Sequence, residues 1–221
     1  MNIFRRIAGA AALAVLAAGV THADDSNWGV GIKAGTLGYG AEARWAGLPW
    51  MDLRIGANGY QYEDTGRHGG VRYDTDLTLE TYYLTANFHF PLSPIRFTAG
   101  AMSNGNEAVM LAAEPGDITI GGQTFTQAEV GTLGGVTSFG SISPYVGLGF
   151  DFELFGKAGL NFDLGVLWQG DPEIELTAVG GTLEGSQALE DALAAEVDSL
   201  SDDFSTLKAY PVVSLSFVYN F

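Results

Sequence analysis

The chain has 221 residues, 47% of them hydrophobic, with 26 acidic against 10 basic side chains and no cysteine. The missing cysteines exclude disulfide staples and thiolate metal sites, and the formal charge of −16 repels nucleic acid and anionic head groups unless cations bridge them. Beyond the first residues no stretch is long and apolar enough for a transmembrane helix, so the apolar residues must be dispersed in short segments.

The chain opens "MNIFRRIAGAAALAVLAAGVTHA". A basic start at Arg5 and Arg6, an apolar run from Ile7 to Val20 and small residues before a cut after Ala23 predict a secretory signal peptide over 1–23. The run is shorter than the roughly 20 residues that span a bilayer, and "FRRIAGA" lacks the rest of a twin-arginine motif. Residues 24–221 then form one domain with 8 basic and 26 acidic residues, a net charge of −18.

Eight segments of alternating apolar and polar residues follow, each predicting a strand. "WGVGIKAG" sets Trp28, Val30, Ile32 and Ala34 against Gly29, Gly31, Lys33 and Gly35. "YGAEARW" sets Tyr39, Ala41, Ala43 and Trp45 against Gly40, Glu42 and Arg44. "WMDLRIGANGY" opposes Met51, Leu53 and Ile55 to Asp52, Arg54 and Asn58, and "TYYLTANFHF" opposes Tyr82, Leu84 and Phe88 to Tyr83, Asn87 and His89. In "IRFTAGAM", Ile95 and Phe97 oppose Arg96 and Thr98. "YVGLGFDFEL" opposes Leu148, Phe150 and Phe152 to Tyr145, Asp151 and Glu153. "LNFDLGVLWQ" opposes Phe162, Leu164 and Trp168 to Asn161 and Asp163. The last segment, "VVSLSFVYNF", opposes Val213, Leu215, Phe217, Tyr219 and Phe221 to Ser214, Ser216 and Asn220.

Connectors alternate as well. "AGLP", "PLSP" and "FGKAG" are tight reversals with Gly or Pro where a turn needs them, whereas "EDTGRHGGVRYDTD", 105–143 and 170–209 are long. An even number of strands with short turns at one end and long loops at the other is the pattern of an outer-membrane barrel with its tight turns toward the periplasm. A soluble sandwich would place the charged faces in water. Here the polar register is rich in glycine and carries both signs, Lys33, Arg44, Arg54 and Arg96 with Glu42, Asp52, Asp151, Glu153 and Asp163. Such a register suits a narrow lumen that side chains must fill. Trp28, Trp45 and Trp50 fall toward the turn end and Trp168 and Tyr210 toward the other, the placing of two aromatic girdles.

The strand arithmetic, "SPYVGLGFDFEL" and the closing "VVSLSFVYNF" resemble the small bacterial outer-membrane barrels, the group that includes the OmpA transmembrane domain and the OmpW- and PagL-like proteins. The resemblance covers the whole of 24–221. It implies an eight-stranded antiparallel up-and-down barrel in the outer membrane. It also implies that Phe217, Tyr219 and Phe221 resemble the signal read by the barrel assembly machinery.

Of the 26 acidic residues, 19 lie between Glu63 and Asp203 in the long connectors, making the outer end strongly negative. Leu189, Leu193, Val197, Leu200, Phe204 and Leu207 recur at helical spacing in the stretch from Ser186 to Leu207, predicting a helix packed over the barrel mouth. Its acidic polar face does not suit anionic membranes. His68 and His89 form no recognisable serine–histidine site and there is no G-x-S-x-G elbow. Asp171, Glu173 and Glu175, and Asp198, Asp202 and Asp203, lack the ligand spacing of a calcium loop. The expectation is therefore a non-enzymatic barrel with no metal and no cofactor, monomeric, in contact with outer-membrane lipid and lipopolysaccharide. Passage of a small solute in the OmpW manner is the first alternative, lipid A modification the second.

Overall fold

The computed structural model describes residues 27–68, 71–112, 116–203 and 208–221. The predicted signal peptide, and Phe204 and Leu207 of the predicted helix, lie outside the described residues. In chain order the strands are β1 (Trp28–Gly35), β2 (Gly38–Leu48), β3 (Met51–His68), β4 (Val71–His89), β5 (Ile95–Asn104), β6 (Glu107–Ala112), β7 (Ile118–Ile120), β8 (Gln123–Phe125), β9 (Gly131–Ser138), β10 (Ile142–Phe155), β11 (Ala158–Trp168), β12 (Glu173–Gly180) and β13 (Ala209–Asn220). Two helices, α1 (Gln127–Val130) and α2 (Gln187–Asp203), complete the set.

Eight of these strands close into an antiparallel barrel, in ring order β1, β2, β3, β4, β5, β10, β11 and β13. Closure is made by β1 on β13, from Gly29↔Asn220 to Gly35↔Ser214, and by β4 on β5, from Thr81↔Asn104 to His89↔Arg96. Because side chains alternate along a strand, one register faces outward all round. Ile32 is 65% exposed, Ile55 60% and Leu84 58%, while Arg96 on the other register is 0% exposed. The molecule is thus apolar outside and ionic inside. No helix among the described residues is long and apolar enough to cross a membrane.

Beyond the barrel the connectors expected as loops continue as sheet. The outer part of β4 leaves β5 and pairs with β6 from Thr78↔Glu107 to Tyr73↔Ala112; β6 then pairs with β9, and β9 with β12. With β3, which follows β4 to His68, these strands form a five-stranded wall over one side of the mouth. Each of β6, β9 and β12 prolongs the barrel strand beside it in sequence, and their residues find pairing partners that loops would leave to water. The switch at β4 is held by one backbone and one side-chain hydrogen bond. The Gly105 amide donates to Glu80 O (2.8 Å), and the Glu80 amide donates to Asn106 Oδ1 (3.1 Å), where no strand partner is present to receive it.

The inward face of this wall carries its own core. Ile118, Ile120 and Phe125 of the β7–β8 hairpin, Val130 of α1 and Leu189 and Ala192 of α2 bury one another, with Leu133, Ala178 and Leu193 packed around them. The Gly121 amide donates to Glu196 Oε2 (2.8 Å), tying the hairpin to α2. The predicted helix is therefore present from Gln187 to Asp203 and packs through Leu189 as its period requires.

One girdle assignment is corrected. Tyr210 pairs with the fully buried Leu167 across β11 and β13, and so stands in the inward register. Its ring packs on the interior cluster and its hydroxyl donates to Thr36 O (2.8 Å). The register turns the phenol inward, and its polar tip is satisfied at the exposed β1–β2 turn. Trp28, Trp50 and Trp168 lie exposed on the outer surface and Trp45 is half-buried in the same register.

Asn106→Ala removes the acceptor for the Glu80 amide at the partner switch. It should lower stability by about 1–3 kcal/mol, measured by urea unfolding in detergent micelles, with faster hydrogen exchange at Glu80 and unchanged exchange at the turn end.

Candidate functional site: the filled lumen

The interior is organised in layers. Nearest the tight turns, Asp52 accepts from Asn87 Nδ2 (2.6 Å), pairs with Arg44 (3.0 Å) and meets His89 Nε2 at 2.5 Å. The other ring nitrogen of His89 faces Asp151 at 3.5 Å. Arg96 Nε donates to Asp151 (2.9 Å), its Nη1 donates to Thr98 Oγ1 (2.7 Å) and Asn87 Oδ1 (3.1 Å), and its Nη2 meets Asp163 at 2.5 Å. A Cβ on Gly149 would lie 2.3 Å from Arg96 Cζ, so the glycine is what admits the guanidinium.

Arg54 occupies the middle of the bore. It approaches Glu42 (3.7 Å), Asp52 (3.5 Å), Asp151 (3.7 Å) and Asp163 (3.7 Å), and Asn161, its amide turned to donate to Asp151 Oδ1 (3.0 Å), accepts from Arg54 Nη2 (3.0 Å). Arg44 and Arg54 stand directly opposite each other on β2 and β3. Like charges in that position repel, and Asp52, which pairs with both, separates them electrostatically. Lys33 completes the layer 3.9 Å from Glu42 and 4.6 Å from the centroid of the Tyr83 ring.

Above the ions lies an apolar septum. Leu37, Tyr83, Met102, Tyr145, Leu167 and Val212 are all buried and in mutual contact. The Tyr83 hydroxyl points down and donates to Glu42 Oε2 (2.7 Å), so one side chain belongs to both layers. Leu37 arrives from the β1–β2 turn, which is pinned over the mouth by Thr36: its hydroxyl donates to Pro211 O (3.0 Å) and accepts from the Val213 amide (3.2 Å). Space for Tyr83 and Tyr145 comes from glycine, since a Cβ on Gly56 would meet the Tyr83 hydroxyl at 2.5 Å and one on Gly165 the Tyr145 hydroxyl at 2.5 Å.

Between ions and septum the free space is about 20 Å³, bordered by Lys33, Glu42, Arg54, Tyr83, Asp163 and Ser214. That is room for about one water molecule. A larger polar vestibule of about 300 Å³ opens at the turn end among Arg44, His89, Ser93, Asp151, Glu153 and Asn220. Asp151 and Asn161 on its lining both contact Arg54.

Of the nine charged residues expected to form a lumen network, the structure brings together Lys33, Glu42, Arg44, Asp52, Arg54, Arg96, Asp151 and Asp163. Glu153 is exposed and stands at the vestibule rim beside the irregular pairing of β10 and β11 at Glu153/Phe155. His89 joins the network as its inward register implies. The septum was missed by strand alternation because Leu37 lies in a turn, and Met102, Leu167 and Val212 are apolar residues in a register otherwise polar. Phe217 and Tyr219 are exposed on the outer face of β13, and the Tyr219 ring meets Phe221 edge-on with centroids 5.7 Å apart. Among the described residues no group of His, Asp or Glu side chains is arranged to hold a metal ion.

No family model matches the chain, and no curated protein matches it in sequence. Solved structures do. The crystal structure of Acinetobacter baumannii CarO2 superposes with a TM-score of 0.60 at 22% identity, over 89% of this chain and 99% of that one. That of Acinetobacter baumannii CarO gives 0.56 at 24% identity, over 87% and 97%. At this identity the likeness is one of fold, an eight-stranded barrel over almost the whole of each chain. It does not single out the OmpA-, OmpW- or PagL-like groups.

Arg54→Met leaves four carboxylates facing the centre of the bore with their shared cation removed. Breaking such a buried arrangement from one side should cost about 3–5 kcal/mol in urea unfolding, and Arg54→Met combined with Asp163→Asn should recover part of that loss.

Proposed function

We propose that this chain is an integral outer-membrane barrel with a sealed, side-chain-filled lumen, and that its role is to support the envelope and to present the acidic wall at the outer end. One observation carries the reading: an uncharged septum lies directly on a compensated ionic layer, with about 20 Å³ between them. A conducting path has to breach both. The apolar outer surface supports the bilayer as its surroundings, because a closed barrel leaves no backbone group unpaired against hydrocarbon. Trp28, Trp50 and Trp168 then stand where aromatic rings meet head groups.

Phe217, Tyr219 and Phe221 are proposed as the assembly signal read by the barrel assembly machinery. Outer-membrane lipid and lipopolysaccharide are the proposed surroundings, the state is a monomer, and nucleic acid is not a partner of so acidic a chain. His89 is engaged with Asp52 and Asp151, which supports a place in the interior packing over a role in lipid A modification.

The vestibule of about 300 Å³ is the feature that favours the rival, passage of a small solute. The two readings separate in planar bilayers containing the purified protein. The sealed barrel gives no steady single-channel conductance at neutral pH, and Leu37→Ser, which opens the septum alone, still gives none because Arg54 and Asp163 remain across the bore. A regular conductance in the unaltered protein, altered by Arg54→Met or Arg96→Met, overturns the sealed reading in favour of transport.

A further inference from the structure

On one side of the mouth β3 outlasts its neighbour. The register of β2 on β3 ends at Tyr39↔Gly59, and from Tyr60 to His68 β3 pairs only with β4 among the described residues. The other margin of the wall is β12. Between those margins the ring is completed by β2, β1 and β13, and β1 and β2 meet in the turn at Thr36 and Leu37 while β13 begins at Ala209. The wall therefore lacks three strands, a notch roughly 19 Å wide at about 4.8 Å per strand spacing. Its floor is the β1–β2 turn, where Tyr39 lies against Tyr60 with ring centroids 6.3 Å apart.

A bare strand edge presents a row of unpaired amide and carbonyl groups, a template for another strand. Residues 61–66 are exposed throughout. The side chains beside an added strand are acidic on both faces. Glu63 projects on the outward face with Asp76 directly across from it, and Asp64 projects on the inward face beside Tyr60 and Tyr62. A second copy in the same membrane and the same orientation fits badly. A two-fold axis along the membrane normal brings the two β3 edges together parallel and at equal height with their faces exchanged, which crowds Glu63 of each copy against Asp64 of the other, and like charges so placed repel.

We propose that the free edge of β3 from Tyr60 to Gly66 takes up an extended cationic segment of another polypeptide as an added strand. Backbone pairing supplies the attachment. Lysine or arginine on both faces of the incoming strand answers Glu63 and Asp64, and an arginine can also lie over the Tyr60 or Tyr62 ring. The inference deepens the surface-presentation reading, but it concerns the edge itself and can be tested whatever compartment the edge faces.

The probe is a synthetic ten-residue peptide in which adjacent lysine pairs alternate with threonine–valine pairs, so that lysines fall on both faces of the strand, added to the full barrel in neutral detergent micelles and followed by amide NMR and hydrogen exchange. The expected result is shifted and protected amides within Gln61–Gly66, no such protection from a fully N-methylated analogue of equal charge, and binding weakened at least tenfold by Glu63→Lys with Asp64→Lys. Three results overturn the proposal: equal binding of the N-methylated analogue, which would mean charge attraction without strand pairing; shifts spread over the acidic face and absent from the edge; or no perturbation at millimolar peptide. Failure here leaves the conductance result untouched, so the two readings fall separately.

Discussion

Arg54 is the group on which the interior depends. A barrel of eight strands encloses too little space for water to solvate its inward side chains, so every charge placed there must be answered by another side chain. Four cations, Lys33, Arg44, Arg54 and Arg96, stand among four carboxylates, Glu42, Asp52, Asp151 and Asp163, and Arg54 is the cation that reaches all four. Glycine is the complement of this arrangement. Where a guanidinium or phenol crosses the bore, the strand facing it carries Gly149, Gly56 or Gly165, and no larger residue fits without moving a buried ring or guanidinium. The packing of ions and the placing of glycines are one constraint seen from two sides.

That constraint explains which parts of the molecule could be read from the sequence. Strand alternation has a period of two, and wherever one face is apolar and the other polar it fixes which side chains share a surface. The eight barrel strands and the grouping of eight of the nine expected charges follow from it. Tyr210 was assigned by its residue type, which suits a girdle, although it shares its parity with the inward Val212, Ser214 and Ser216 and pairs with the buried Leu167. Leu37 escaped because a turn has no alternation to read, and the septum it completes is an apolar patch within a polar register. Glu153 fell in the right register but at its end, where the pairing of β10 and β11 slips and the side chain meets solvent.

The wall above the mouth shows a different limit. Its strands are short: β6 has only six residues, and β9 and β12 are rich in glycine, threonine or acid, a composition that reads as loop. They become sheet because β4 extends past the ring and offers them an edge, and because the β7–β8 hairpin and α2 bury the inward face. Pairing with a strand already in place overrides weak local preference. The Asn106 side chain and the Gly105 amide mark where this happens, satisfying the backbone at the point where one partner strand is exchanged for another.

A packed lumen and an unfinished wall are related features. The inward side chains of β1, β2 and β13 are spent on the ionic layer and the septum, and the turn between β1 and β2 is folded over the mouth by Thr36 and Tyr210 instead of rising with its neighbours. The lid on the bore and the gap in the wall thus come from the same short hairpin. Lengthening it to continue the wall would withdraw Leu37 from the septum. Keeping Leu37 in place leaves β3 paired with β4 alone beyond Gly59 among the described residues. A strand edge in that position persists without self-association only if its side chains oppose a like copy, and Glu63 and Asp64 meet that requirement. The same acids define the charge of whatever strand the edge can accept.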